Sequence, residues 1–148
     1  FVVAGISTVK CLHVDDGRAV WSWTPEGGGQ IASCGGVDAA RQLVFVGTLK
    51  KQLLAVNTTT GRTVWSYVAG GEIWATHGPR LVGAELVCSG VGGHADPGAD
   101  CHAEVHCVDR SSGALRWKQP TGRQIQSTPA VGKSTLYVGD YDGCLFAF

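Results

Sequence analysis

All-β, assembled from repeating four-stranded antiparallel units, is the fold class this sequence predicts, and three observations carry it. Val44-Phe45-Val46-Gly47 is echoed by Val2-Val3-Ala4-Gly5, Val87-Cys88-Ser89-Gly90 and Tyr137-Val138-Gly139. The glycines Gly5, Gly47, Gly90 and Gly139 stand 42, 43 and 49 residues apart. Between them a turn and a strand ending in tryptophan recur: Asp16-Gly17-Arg18-Ala19-Val20-Trp21, Thr60-Gly61-Arg62-Thr63-Val64-Trp65 and Ser112-Gly113-Ala114-Leu115-Arg116-Trp117. A period of about 40 to 45 residues made of short β runs marks a β-propeller, whose units bury their faces only against neighbouring blades.

Aligned on this period, the chain divides into blade pieces at about 1–25, 30–68, 72–119 and 124–148. The second unit shows the full pattern, with strands expected at 31–37, 43–48, 52–57 and 63–68. Glycine and asparagine turns separate them, because Gly accepts positive φ and Asn or Asp bonds its own backbone. The first unit lacks its inner strand and the fourth stops after its third, so two whole and two incomplete blades are expected. Roughly three and a half periods fit in 148 residues, short of the about four blades of the smallest ring. There is also no methionine, which predicts a piece of a larger protein. The unfinished last unit further predicts that Phe148 lies near a natural C-terminus and that a strand from the N-terminal side closes the ring.

The recurrent tryptophans Trp21, Trp65 and Trp117, with Gly17, Gly61 and Gly113, are expected to be docking residues. A large flat ring at the same place in each unit covers the seam between blades and can place its N–H on a neighbouring carbonyl. Trp74, in the inner strand Glu72-Ile73-Trp74-Ala75-Thr76, stands outside that register and is the tryptophan expected nearest a ligand.

Charge is balanced, with 12 basic and 12 acidic residues and no basic run longer than Lys50-Lys51, which excludes a phosphate-tracking surface and hence nucleic acid. No apolar run approaches the about 20 residues of a membrane-spanning helix. Cys11 and Cys107 occupy the same repeat position, where Ala55 stands in the second unit, and are read as small buried apolar residues. On that pattern a reduced, cytoplasmic setting is favoured, with a periplasmic or secreted one as the alternative. Asn57-Thr58-Thr59 fits the glycosylation sequon, which matters only in a secreted protein.

The repeat resembles the pyrroloquinoline-quinone-type family, whose units read approximately VYVGT-DG-LYALDA-TGK-LWS-F. The residues that carry the likeness are Val44 to Thr48, Leu53 to Asn57, Thr60-Gly61-Arg62, Val64 to Tyr67 and Leu136 to Phe148. The resemblance implies a propeller and three possible settings: a non-catalytic binding or scaffold module with protein partners, a quinone- and calcium-dependent alcohol dehydrogenase, or the C-terminal propeller of an acyl-activating enzyme of the aminoadipate-semialdehyde type. Adjacent cysteines and a Cys-x-x-Cys-His haem site, both found in such dehydrogenases, are missing from this chain. No catalytic residue transfers to a position here, so a binding or scaffold module without a cofactor of its own is expected, completed by further blades.

One irregular segment interrupts the third unit, from Gly92 to Cys107, and gathers three of the five histidines and two cysteines. His94, Asp96, Asp100, Cys101, His102, His106 and Cys107 are of the ligand types that hold zinc. On a continuous strand His102 and His106 would lie about 13 Å apart, too far for one ion. No metal site is therefore expected unless the loop folds back. Gly132-Lys133-Ser134 lacks the upstream glycine of a phosphate loop, and Asp140-Tyr141-Asp142-Gly143 reads as a hairpin turn.

Overall fold

The structure, a computed structural model, describes residues 2–4, 6–73, 78–84, 86–92, 103–125 and 127–148. Its strands fall into four antiparallel sheets, each a simple meander in chain order. Blade 1 holds β1 (Val2–Ala4), β2 (Val9–Leu12) and β3 (Ala19–Trp23). Blade 2 holds β4 (Ile31–Asp38), β5 (Leu43–Thr48), β6 (Gln52–Asn57) and β7 (Thr63–Val68). Blade 3 holds β8 (Arg80–Val82), β9 (Leu86–Val91), β10 (Glu104–Asp109) and β11 (Leu115–Pro120). Blade 4 holds β12 (Ala130–Val131), β13 (Leu136–Gly139) and β14 (Leu145–Ala147). Among the described residues the chain forms a partial propeller of two four-stranded and two three-stranded blades.

Blade 2 shows why its strands read as unbroken apolar runs. Side chains alternate across a strand, and here both faces are covered. Val44, Val46, Leu54 and Val56, with Ile31 of their own blade, pack toward blade 1 against Val9 and Trp23. Leu43, Phe45, Leu53, Ala55 and Trp65 pack the other way, against Val91 and Val108 of blade 3. A third cluster, Val105, Cys107, Ile125, Leu136 and Val138, fills the next seam. The core is thus a series of sheet-to-sheet seams.

The turn before each tryptophan strand has one geometry. Asn57 N–H donates to Arg62 O at 2.8 Å and Gly61 N–H to Asn57 O at 2.9 Å; Asp109 and Gly113 repeat both bonds at 2.8 Å, and His13 and Gly17 repeat them at 2.9 and 3.0 Å. Asn57 Oδ1 accepts from the Thr60 N–H at 2.8 Å, and Asp109 Oδ1 from the Ser112 N–H at 3.0 Å. A register shift follows Cys11, Ala55 and Cys107 alike, at the same repeat position of blades 1, 2 and 3.

These turns receive the tryptophans of the preceding blade. Trp21 donates its indole N–H to Thr58 O at 2.9 Å, and Trp65 donates to Arg110 O at 3.1 Å. Gly61 and Gly113, at φ +67° and +74°, lie flat against those rings; a Cβ at Gly113 would come within 2.6 Å of Trp65, and one at Gly61 within 2.8 Å of Trp21. Trp117 packs against Phe148 with ring centroids 6.0 Å apart. Trp23, outside the repeat register, is also buried and donates to Thr63 Oγ1 at 3.0 Å.

Two substitutions test this seam by chemical denaturation. Trp65→Ala is expected to cost about 3–5 kcal/mol, the range for deleting a large buried aromatic; a loss under about 1 kcal/mol would show that the ring does not hold the seam. Gly113→Ala should cost at least about 1–2 kcal/mol from its left-handed backbone alone, before Trp65 is displaced. An unchanged midpoint for that variant would contradict the close approach.

Candidate binding surface and polar seam

The inner strands β4, β8 and β12 stand side by side and enclose a groove of about 590 Å³. Glycine lets them approach. A Cβ at Gly35 would meet Gly78 Cα at 2.8 Å, and one at Gly36 would meet Pro79 O at 2.8 Å. The wall is mixed: Val37, Leu81, Pro129 and Val131 alternate with backbone polar groups and Thr128, and Arg80 is the one charged side chain among the described lining residues. Val37 is 54% exposed and Val131 42%, although both are apolar. No aspartate or glutamate is among the described residues lining the groove, so a calcium ion would meet no carboxylate there. Trp74, expected near a ligand, lies outside the described residues.

Two polar clusters tie blade 2 to blade 3, at opposite ends of β10. At the far end Arg110, 5% exposed, reaches Asp38 Oδ2 at 3.1 Å and Gly83 O at 2.7 Å. Arg41 holds the same carboxylate at 3.0 Å. Burial alone would raise Asp38, but the Arg41 backbone N–H and the Arg110 and Arg41 guanidinium groups overcome it and hold the carboxyl below its ordinary value. Asp109 beside it is held well below the carboxylate range by the Ser111 hydroxyl, then by Arg116 and Ser112.

At the near end, His106 lies between Tyr67 of β7 and Glu104 of its own strand. Tyr67 Oη is 2.8 Å from His106 Nδ1, and His106 Nε2 is 2.7 Å from Glu104 Oε2. Lys118 of β11 donates to both Glu104 oxygens, at 2.9 and 3.0 Å. The Lys118 hydrogen bond, with His106 helping against partial burial, keeps Glu104 below its usual value, and Glu104 in turn raises Lys118. Burial lowers His106 and raises Tyr67. The arrangement favours a neutral imidazole and an un-ionised phenol.

Several candidates from the sequence meet different fates. His94, Asp96, Asp100, Cys101 and His102 lie outside the described residues. His106 spends both ring nitrogens on Tyr67 and Glu104, and among the described residues no group of three His, Cys, Asp or Glu side chains gathers to hold a metal. Cys107 corrects two expectations. It is buried in the third core cluster, as its repeat position predicts, but as half of a disulfide rather than a free thiol, so it is no thiolate for zinc and the lean toward a reducing cytoplasm falls with it. Cys11 and Cys144 are free. Asp38, Arg110 and Tyr67 escaped sequence reading, because each belongs to one seam and repeats nowhere. No helix among the described residues is long and apolar enough to cross a membrane, which says nothing of strands.

The sequence profile of the family described as outer membrane protein assembly factor BamB matches residues 2–96 and 98–148. The outer membrane protein assembly factor BamB of Xanthomonas campestris is 29% identical over 98% of this chain and 34% of its own length. The quinoprotein alcohol dehydrogenase PedH of Pseudomonas putida is 27% identical over 82% of this chain and 21% of its own. Among solved structures, BamB from Moraxella catarrhalis superposes with a TM-score of 0.71 at 24% identity, covering 97% of this chain and 40% of that one, a likeness of fold. The chain spans about a third or less of the length of these curated relatives.

Arg110→Met tests the buried ion cluster. Removing one partner leaves Asp38 desolvated with Arg41 alone, and a loss of about 3 kcal/mol is expected in urea denaturation. Asp38→Asn combined with Arg110→Met should recover part of it, since the buried site then holds no charge and Arg41, the remaining cation, reaches solvent. A double variant as unstable as the sum of the singles would show that the two residues do not act as a pair.

Proposed function

Because this chain belongs to the family described as outer membrane protein assembly factor BamB, we propose that it is a non-catalytic propeller module that binds protein partners in the assembly of outer-membrane proteins. It acts within a longer polypeptide that supplies the remaining blades, in an oxidising compartment where the Cys107 disulfide persists. The observation that carries the reading is the groove between β4, β8 and β12. Exposed Val37 and Val131 beside Arg80 suit an extended segment with apolar side chains.

The dehydrogenase reading is supported by kinship with alcohol dehydrogenases such as PedH, and would place quinone and calcium on blades beyond this chain. The matched family lends nothing to the acyl-activating reading. Two measurements on the full-length protein separate the first two. Val37→Asp is expected to reduce outer-membrane protein assembly in cells severalfold while the circular dichroism spectrum stays unchanged. Incubation with the quinone, calcium, a panel of alcohols and a dye acceptor should give no turnover. Sustained dye reduction, with assembly indifferent to Val37→Asp, would overturn the proposal in favour of the dehydrogenase.

A further inference from the structure

The hydrogen-bonded chain Tyr67–His106–Glu104–Lys118 crosses the seam from β7 of blade 2 to β10 and β11 of blade 3. His106 is 2% exposed at its centre. The proton positions follow from the partners. An ionised Glu104 only accepts, so Nε2 carries the imidazole hydrogen, and the Nδ1 lone pair receives the Tyr67 hydroxyl. Every donor then has an acceptor.

We propose that this chain is a proton-sensitive clasp between blades 2 and 3, closed while His106 is neutral and released when His106 is protonated. A second ring proton puts a donor at Nδ1, facing the Tyr67 hydroxyl. The phenol must turn its own hydrogen away, into a seam packed by Trp65, Val91 and Val108. The imidazolium would also be buried beside a Glu104 whose two oxygens both already accept from the Lys118 ammonium, so the carboxylate is shared between two cations. Escape toward water breaks the cross-seam bond, and β7 loses its polar tie to β10.

The groups that face His106 from each side can be named. On its own strand there is Glu104; on β11 there is Lys118 directly opposite, while Arg116 further along is paired with Asp109. On β7 there is Tyr67, and on β9 the residue opposite is Ser89, flanked by Val87 and Val91. Glu104 and Lys118 are the charges that act on the ring. The sign follows. Burial makes the native ring bind a proton less readily than the unfolded chain, with its ordinary value of 6.5, so the clasp contributes fully above that pH and is withdrawn as pH falls below it. Glu104 and Asp38 are held below their ordinary 4.5 and 3.8 and keep their charge through this window, so the histidine step stands apart from general acid unfolding.

Hydrogen exchange on the whole chain, corrected for intrinsic rates, tests the clasp between about pH 7.5 and 5.5. Protection of the β7 and β10 amides is expected to fall about tenfold, while β5 and β6 keep theirs. Tyr67→Phe, which leaves Nδ1 free to turn, should flatten that pH dependence, and so should His106→Gln. Equal protection at both pH values in the unmodified chain would overturn the proposal. If either variant fails to fold, the ¹⁵N titration of the His106 imidazole in the unmodified chain decides alone. A midpoint at or above the ordinary histidine value, with no concerted change at the Tyr67 ring, would refute the clasp.

Discussion

The docking of a tryptophan onto the glycine turn of the next blade is the contact on which the rest of this fold depends. A four-stranded blade is apolar on both faces and gains nothing by standing alone; each of its faces must be covered by a neighbour. Trp65 closes the outer end of the seam between blades 2 and 3, with its indole N–H on Arg110 O and its ring against Gly113. That single placement has three requirements at once: a left-handed glycine, a carbonyl turned outward by the Asp109-capped turn, and a small residue at the bulge where Cys107 stands. The repeat is conspicuous because all three recur together.

Beyond the tryptophan, the seam between blades 2 and 3 is held by charge at one end and by a histidine relay at the other. These are different physical solutions. Asp38, Arg110 and Arg41 keep their charges when buried, because guanidinium forks supply enough donors to offset lost hydration. His106 stays neutral because burial outweighs the pull of Glu104. The first device is indifferent to any pH at which carboxylates remain ionised, whereas the second depends on one proton. A seam so built can loosen at one end and stay hinged at the other.

Strand order, the two complete and two incomplete blades, and the alternation that sends Val44 one way and Phe45 the other could all be read from spacing, since a repeat displays its packing rules several times over. The cross-seam polar residues could not. Tyr67 stands where the other repeats carry Trp23 and Gln119, and Arg110 where Thr58 stands, so neither carries a periodic signal. Cys107 misled for a related reason: its repeat position calls for a small residue, and alanine at position 55 satisfies that rule without revealing that cysteine here is oxidised.

The same logic bears on where function resides in a propeller. Residues that recur once per blade answer to the neighbouring blade, and so they are the least informative about partners. What is particular to this chain lies in departures from the repeat: exposed Val37 and Val131 beside Arg80 on the inner strands, and His106 under Tyr67 where other blades need no histidine. The inner strands give one or two residues to each seam, Ile31, Leu81 and Val82, and the tryptophans with the apolar pairs of β5 and β6 carry most of the rest. Relatives described as assembly factors and as alcohol dehydrogenases can therefore share the same repeat. For this chain, the described part of that groove sets Val37, Leu81 and Val131 beside Arg80 and Thr128, a mixed lining that the outer strands do not repeat.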